Sequence, residues 1–298
     1  MKQDYRQLLE PKIINSISGL SLIARVIVDG YLSGLHQSRR VGVGLEFSQY
    51  RGYEPGDDMR LLDWKMLARS GRYYIKQSEI ETHITVKFIV DASKSMVHTE
   101  KSLSKMDYVK VLTASLAHLA QSQGDAIGLY ALNDTKIKTI RPTVQKQQYK
   151  RFLNELIQIE GHGQWPEKSD FLHQMPNSGH KELLFFITDM YESDGELTRM
   201  IQNLKTKRNE LVVLHIMGKD ELEFNYQGYV IFEDLETGAK VKVDTKKAKE
   251  LYLRSLTKKM SAMNNGFLSQ GIGYQLFRLN EPISEVLQLF LKRRKSLL

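Results

Sequence analysis

Val86-Lys87-Phe88-Ile89-Val90, followed at once by Asp91-Ala92-Ser93-Lys94-Ser95, is the stretch on which the reading of this chain turns. A short β-branched and aromatic run of this kind predicts a buried strand. The D-x-S-x-S that follows then falls at the strand's carboxyl end. In open parallel α/β sheets the crevice beyond those ends is where ligands bind. One carboxylate and two hydroxyls on one loop form a hard, oxygen-only donor set, suited to Mg²⁺ or Mn²⁺ rather than to zinc or copper. The pentapeptide alone would equally serve as a turn capping the next helix. A second run, Glu182-Leu183-Leu184-Phe185-Phe186-Ile187-Thr188-Asp189, also ends in an acid. Two strands with an aspartate at each carboxyl tip could place both carboxylates around one ion.

Outward from these two strands, helices and strands alternate from residue 84 onward. Met106 to Gln121 carries Val109, Leu112, Leu116 and Leu119 at helical spacing. Strands are expected at 126–132 and 136–140, a helix at 148–159, a helix near 194–206 and a strand at 210–216. A helix at 246–263, a strand at 274–279 and a helix at 282–293 complete the series. This alternation implies an α/β fold, a doubly wound and mostly parallel sheet. Residues 219–244 break the rhythm with a hairpin signal around Glu236-Thr237-Gly238. Upstream, residues 1–35 read as a helical segment, with Ile13, Ile17, Leu20, Ala24 and Val28 spaced by three or four. Residues 36–82 are rich in Gly, Arg and aromatics and read as a small β module, expected to pack with the 219–244 hairpin. The domain proper then runs from 83 to 295.

Composition narrows the function classes. The chain has 298 residues, no cysteine and a net charge of +8. Absence of cysteine excludes disulfides, thiolate metal sites and thiol nucleophiles. The most apolar long segment, Ile17 to Leu35, is interrupted by Arg25 and Asp29, so no membrane span is expected. The first residues lack the pattern of a signal peptide, and a cytoplasmic protein is expected. The positive charge gathers at Lys246-Lys247, Lys258-Lys259 and Lys292 to Lys295 without interleaved aromatics. That pattern suits a solvated face better than a nucleic-acid groove, although a basic surface binding nucleic acid is the alternative. His162, His173 and His180 lack the spacing of a zinc site.

Several longer stretches carry a resemblance: Gly44-Leu45-Glu46-Phe47, Arg51-Gly52-Tyr53-Glu54-Pro55-Gly56-Asp57-Asp58, Arg60-Leu61-Leu62-Asp63-Trp64, Ala68-Arg69-Ser70-Gly71, Phe232 to Gly238, and Gly273-Tyr274 to Glu281-Pro282. With the D-x-S-x-S loop, they resemble a bacterial domain-of-unknown-function family whose members accompany MoxR-type AAA ATPases. That family contains a von Willebrand factor A-like domain. The resemblance implies a metal-ion-dependent adhesion site built from Asp91, Ser93, Ser95 and Asp189. Ser169 stands where the family tends to show a threonine. The resemblance further implies an adaptor or assembly factor that grips an acidic partner residue through Mg²⁺ or Mn²⁺. Its partners would be a MoxR-type ATPase and a client protein. The Arg51–Arg69 stretch is expected to lock the β module through turns and ion pairs. The enzymatic alternative is a metal-dependent phosphohydrolase with Asp91 as nucleophile. It would call for a second acid in place of Ser93 and a positioned Lys or Arg. No phosphate-binding G-x-x-x-x-G-K-[ST] loop is present.

Overall fold

The computed structural model describes residues 8–38, 49–55, 57, 59, 62–77, 84–135, 137–145, 147–166, 175, 181–192 and 195–295. They fall into two compact units, one made of 1–34 and 83–298, the other of 35–82. Within the helical segment expected over 1–35, the described residues form two helices, α1 (Pro11–Ile14) and α2 (Ile17–Ser38). Ser16 makes the break: its hydroxyl accepts from the Gly19 N–H at 3.1 Å, an N-cap that starts α2 afresh. Leu20, Ile23, Ala24, Ile27 and Val28 form the buried stripe of α2.

In the smaller unit, β1 (Gln49–Gly52) pairs antiparallel with β2 (Tyr74–Gln77), and α3 (Trp64–Ser70) lies between them in sequence. The acids of the Arg51–Arg69 stretch that are described here serve turns and caps. Asp57 accepts from the Glu54 N–H at 2.9 Å, and Asp63 caps α3 by accepting from Lys65 and Met66 N–H. Trp64, at the start of α3, stands 61% exposed. Asp58, Arg60 and the side chain of Arg51 lie outside the described residues.

The larger unit is built on one six-stranded sheet. In chain order its elements are β3 (Thr85–Asp91), the two-residue strands β4 (Thr99–Glu100) and β5 (Leu103–Ser104), α4 (Lys105–Ser122), β6 (Ala126–Leu132), β7 (Ile137–Thr143) and α5 (Gln148–Ile157). There follow β8 (Glu182–Thr188), α6 (Glu196–Leu204), β9 (Asn209–Met217), α7 (Lys219–Glu223), β10 (Tyr229–Glu233), β11 (Lys240–Asp244), α8 (Thr245–Ser269), β12 (Gly273–Arg278) and α9 (Ile283–Lys295). The sheet order is β12-β9-β8-β3-β6-β7, parallel throughout except for β7, which runs antiparallel at the edge. This is the doubly wound, mostly parallel α/β fold expected from the sequence.

Period-two alternation along β3 sends neighbouring side chains to opposite faces. On one face Phe88 stacks on Phe185 and meets Phe152 of α5 edge-on, both at 5.4 Å between ring centroids, while Phe290 of α9 covers Phe185. On the other, Ile89, Phe186 and Val213 pack against Leu197, Ile201 and Leu204 of α6 and Phe267 of α8. All seven residues of β3 are buried, including Lys87, whose ammonium meets Glu182 of β8 at 2.7 Å.

The topology positions the site. From β3 the chain moves one way along the sheet to β6 and β7, then crosses back to β8 and continues the other way to β9 and β12. The order reverses between β3 and β8, the place where such sheets open a crevice at their carboxyl ends. Asp91 and Asp189 sit at that reversal. Of the 219–244 stretch, residues 219–223 form α7, and the hairpin is β10–β11, a separate two-stranded sheet within the larger unit. Among the described residues no helix is long and apolar enough to cross a membrane.

Candidate metal centre at the sheet switch point

Asp91, Ser93, Ser95 and Asp189 are all buried and all joined. One oxygen of Asp91 accepts from the Ser93 N–H at 2.9 Å, an Asx turn that folds the D-x-S-x-S loop back over the strand end. Its other oxygen accepts from the Thr188 hydroxyl at 2.7 Å, tying β3 to β8. The Ser93 and Ser95 hydroxyls meet at 2.9 Å, and Ser95 donates to Asp189 at 3.1 Å. Ser95 rides on a short 3₁₀ turn, Lys94–Val97, which directs its hydroxyl to the second aspartate. Of the site residues expected from the sequence, four are therefore brought together. Ser169 lies outside the described residues.

The Asp189 loop is held by three further contacts. Thr188 Oγ1 accepts from Met190 N–H at 3.0 Å, and Asp189 accepts from Tyr191 N–H at 3.2 Å. Met190 takes φ +54°, a left-handed conformation uncommon for a side-chain-bearing residue and typical of loops held in place for function. Beneath it, His215 of β9 lies 3.0 Å from the Asp189 carbonyl oxygen through Nε2 and 2.6 Å from the Tyr274 hydroxyl through Nδ1. A carbonyl can only accept, so Nε2 carries the proton and Nδ1 accepts from Tyr274. Burial pushes the His215 pKa down to about 4, so the ring stays neutral and acts as a brace. Its position mid-sheet gave no motif by which the sequence could mark it.

Lys105, the first residue of α4, is the largest feature that the motif did not announce. Its ammonium is 3% exposed and reaches Asp189 at 2.9 Å and Glu221 of α7 at 2.7 Å. Burial alone would lower its pKa, but these two carboxylates outweigh that and raise it. Burial would likewise raise Asp189, yet the Lys105 ammonium holds it below the usual carboxylate range. Among the described residues no cation is paired with Asp91. Burial, with the Asp189 charge added, pushes its pKa up to about 6.

The loop 160–166 is laid directly on the D-x-S-x-S segment: His162 N–H donates to the Ala92 carbonyl and Lys94 N–H to the Gly163 carbonyl, both at 2.9 Å. Gly161 permits this approach, since a Cβ there would stand 2.8 Å from the Ser93 carbonyl oxygen and 2.6 Å from Val97 Cγ2. Gly161→Ala is therefore expected to destabilise the protein by about 1–3 kcal/mol through overpacking against backbone. An unchanged urea midpoint would show that the loop yields without cost.

Among the described residues no group of three or more His, Asp or Glu side chains forms a metal cluster by itself. The donor set is instead two aspartates bridged by hydroxyls. The Ser93 and Ser95 hydroxyls offer one proton each: they meet each other, and Ser95 donates to Asp189. With the Lys105 charge committed to Asp189 and Glu221, Asp91 meets hydrogen-bond donors and no cation among the described residues. A buried carboxylate and two hydroxyls in a small site form an oxygen-only set of the kind that a hard divalent cation satisfies. The residues present therefore fit Mg²⁺ or Mn²⁺, which Asp91, Ser93 and Ser95 would hold with Asp189 behind them.

A model of the family described as "Protein of unknown function DUF58" matches residues 49–261. Uncharacterized proteins of Mycobacterium tuberculosis (Rv1480 of strain ATCC 25618 / H37Rv) and Mycobacterium bovis (Mb1516) are each 22% identical over 234 residues, covering 77% of this chain and 73% of theirs. Among solved structures, an aerotolerance-related membrane protein from Bacteroides fragilis NCTC 9343 matches at TM-score 0.47 and 17% identity, covering 72% of this chain and 100% of that one. The conserved hypothetical protein BatB from Bacteroides thetaiotaomicron matches at 0.45 and 13%, covering 72% and 99%. The SpRpn10 VWA domain matches at 0.39 and 11%, covering 69% and 94%.

Proposed function

Because the chain belongs to the DUF58 family, and its strand-end acids and serines meet as one buried cluster, we propose that it is a metal-dependent protein-binding adaptor. It would act in the cytoplasm with a MoxR-type AAA ATPase and a client protein, gripping an acidic side chain of its partner. The observation that carries this reading is the contact chain Asp91–Ser93–Ser95–Asp189, an oxygen-only set at the switch point of the sheet.

Each residue has a part in that task. Asp91 supplies charge and is oriented by Ser93 N–H and Thr188. Ser93 and Ser95 supply neutral oxygens. Asp189 is held off by Lys105, so that it polarises Ser95 without bringing a second full charge. A bound Mg²⁺ would supply positive charge for an incoming carboxylate. A set short of anionic ligands favours such a carboxylate over a neutral side chain. The ATPase partnership comes from the resemblance described above rather than from any contact in the fold.

The hydrolase alternative asks for a cation free to meet a phosphate, and Lys105 is committed to Asp189 and Glu221. Asp91→Ala is expected to abolish Mg²⁺-dependent capture of the MoxR-type ATPase of the same organism, while the circular dichroism spectrum stays native. Capture that survives both the substitution and a chelator would contradict the adaptor reading.

A further inference from the structure

The sheet ends on β7, whose outer side has no strand partner among the described residues. Such an edge offers a row of main-chain donors and acceptors to another chain. Beside it lies an open groove of about 1220 Å³. Residues 139–143 line it consecutively, although their side chains alternate between the two sheet faces. The groove therefore runs along the edge of the strand rather than across one face. Its other wall is one face of α5, where Gln147, Lys150, Arg151, Asn154 and Glu155 recur at helical spacing.

Both walls are held in place. Gln148, 1% exposed, donates through Nε2 to the Ile127 carbonyl of β6 and the Arg141 carbonyl of β7, both at 2.9 Å. These bonds bridge the bulge where the β6–β7 register slips between Ile127 and Leu129, and they tie the start of α5 to it. The Tyr149 hydroxyl donates to the Ala114 carbonyl of α4 at 3.2 Å and fixes the helix a second time. A groove fixed on both sides has little left to order when a ligand enters.

Charge narrows the occupant. Arg141, Lys150 and Arg151 line the groove, are exposed, and make no ion pair among the described residues. The acid on the α5 wall, Glu155, lies 3.8 Å from Lys138. No aromatic side chain is among the described residues lining the groove, so nucleic-acid bases would find nothing to stack on. A free strand edge beside unpaired cations suits a polypeptide carrying acids.

We propose that this groove binds an extended acidic segment of a partner protein, which adds to β7 as a further strand. Main-chain hydrogen bonds to the edge supply affinity, and the three cations select acids at the positions that face them. Pro142 lacks an N–H, so residues 137–141 carry the pairing. None of the lining residues belongs to the Asp91 cluster, and the proposal stands without a metal.

A short fluorescein-labelled peptide of alternating Glu and Val, followed by anisotropy in chelator, is the test. Wild type is expected to bind it saturably, and more weakly as salt rises. Lys150→Glu combined with Arg151→Glu should weaken binding tenfold or more, because like charges then face the acids. Lys246→Glu with Lys249→Glu, an equal charge change on exposed positions of α8, should leave it unaltered. A strand turns alternate N–H groups to opposite sides, so N-methylating either the glutamates or the valines should abolish binding, and the other set should spare it. Equal effects of the two methylated sets would overturn strand addition. So would absence of peptide binding to the wild type, or tighter binding of an oligothymidylate that is lost in the Lys150 and Arg151 double variant.

Discussion

Lys105→Met is expected to destabilise the protein by about 3–5 kcal/mol, the range for removing one partner of a buried ion pair. The ammonium is 3% exposed and bonded to two carboxylates, and methionine fills the volume without replacing the charge. Asp189 would then face Asp91 and Glu221 with nothing to offset it. Urea unfolding measures the loss, and Lys105→Met combined with Asp189→Asn should recover part of it, because the uncompensated charge goes with the pair. A loss below about 1 kcal/mol would mean that the Asp189 loop is not held by this cation, since exposed pairs contribute on that smaller scale.

The second large effect runs the other way. Asp91→Asn is expected to stabilise the metal-free protein at neutral pH. Burial, with the Asp189 charge added, raises the Asp91 pKa from 3.8 to about 6, so ionising it in the folded state costs up to about 3 kcal/mol. The sign follows from the direction of the shift. The folded chain holds this proton more tightly than the unfolded chain, so the penalty is full above pH 6 and disappears as pH falls toward 4. Asparagine keeps an oxygen for the Ser93 N–H and offers an N–H to Thr188 Oγ1, so the loop should survive the change. The advantage of Asp91→Asn in chelator should shrink as the pH is lowered from 7 to 5. With saturating Mg²⁺ it should vanish, because only the wild type gains from the ion, by about 3 kcal/mol at a hundredfold excess over Kd. A wild type and variant of equal stability in chelator would contradict the uncompensated charge at Asp91. The trade of stability for a charged site is common at functional positions.

Local patterns made much of this visible in advance. The two apolar runs ending in Asp91 and Asp189 identified adjacent parallel strands, because full burial on both faces leaves an unbroken apolar signature. The D-x-S-x-S loop announced itself because its residues are contiguous. The break at Ser16 was hidden, since the apolar spacing of Ile13, Ile17 and Leu20 continues across it while a single cap decides the geometry. Lys105 read as an ordinary helix-start residue, and His215 as one polar residue in a strand. Their roles depend on contacts 84 and 26 residues away in the chain, to Asp189.

The most direct measurement is a calorimetric titration of the wild-type protein with Mg²⁺ and Mn²⁺, paired with thermal unfolding at the same metal concentrations. Saturable binding with a rise in Tm, both absent in Asp91→Ala, is the expected result. No heat with either ion and an unmoved Tm would contradict the reading of Asp91, Ser93, Ser95 and Asp189 as a cation site.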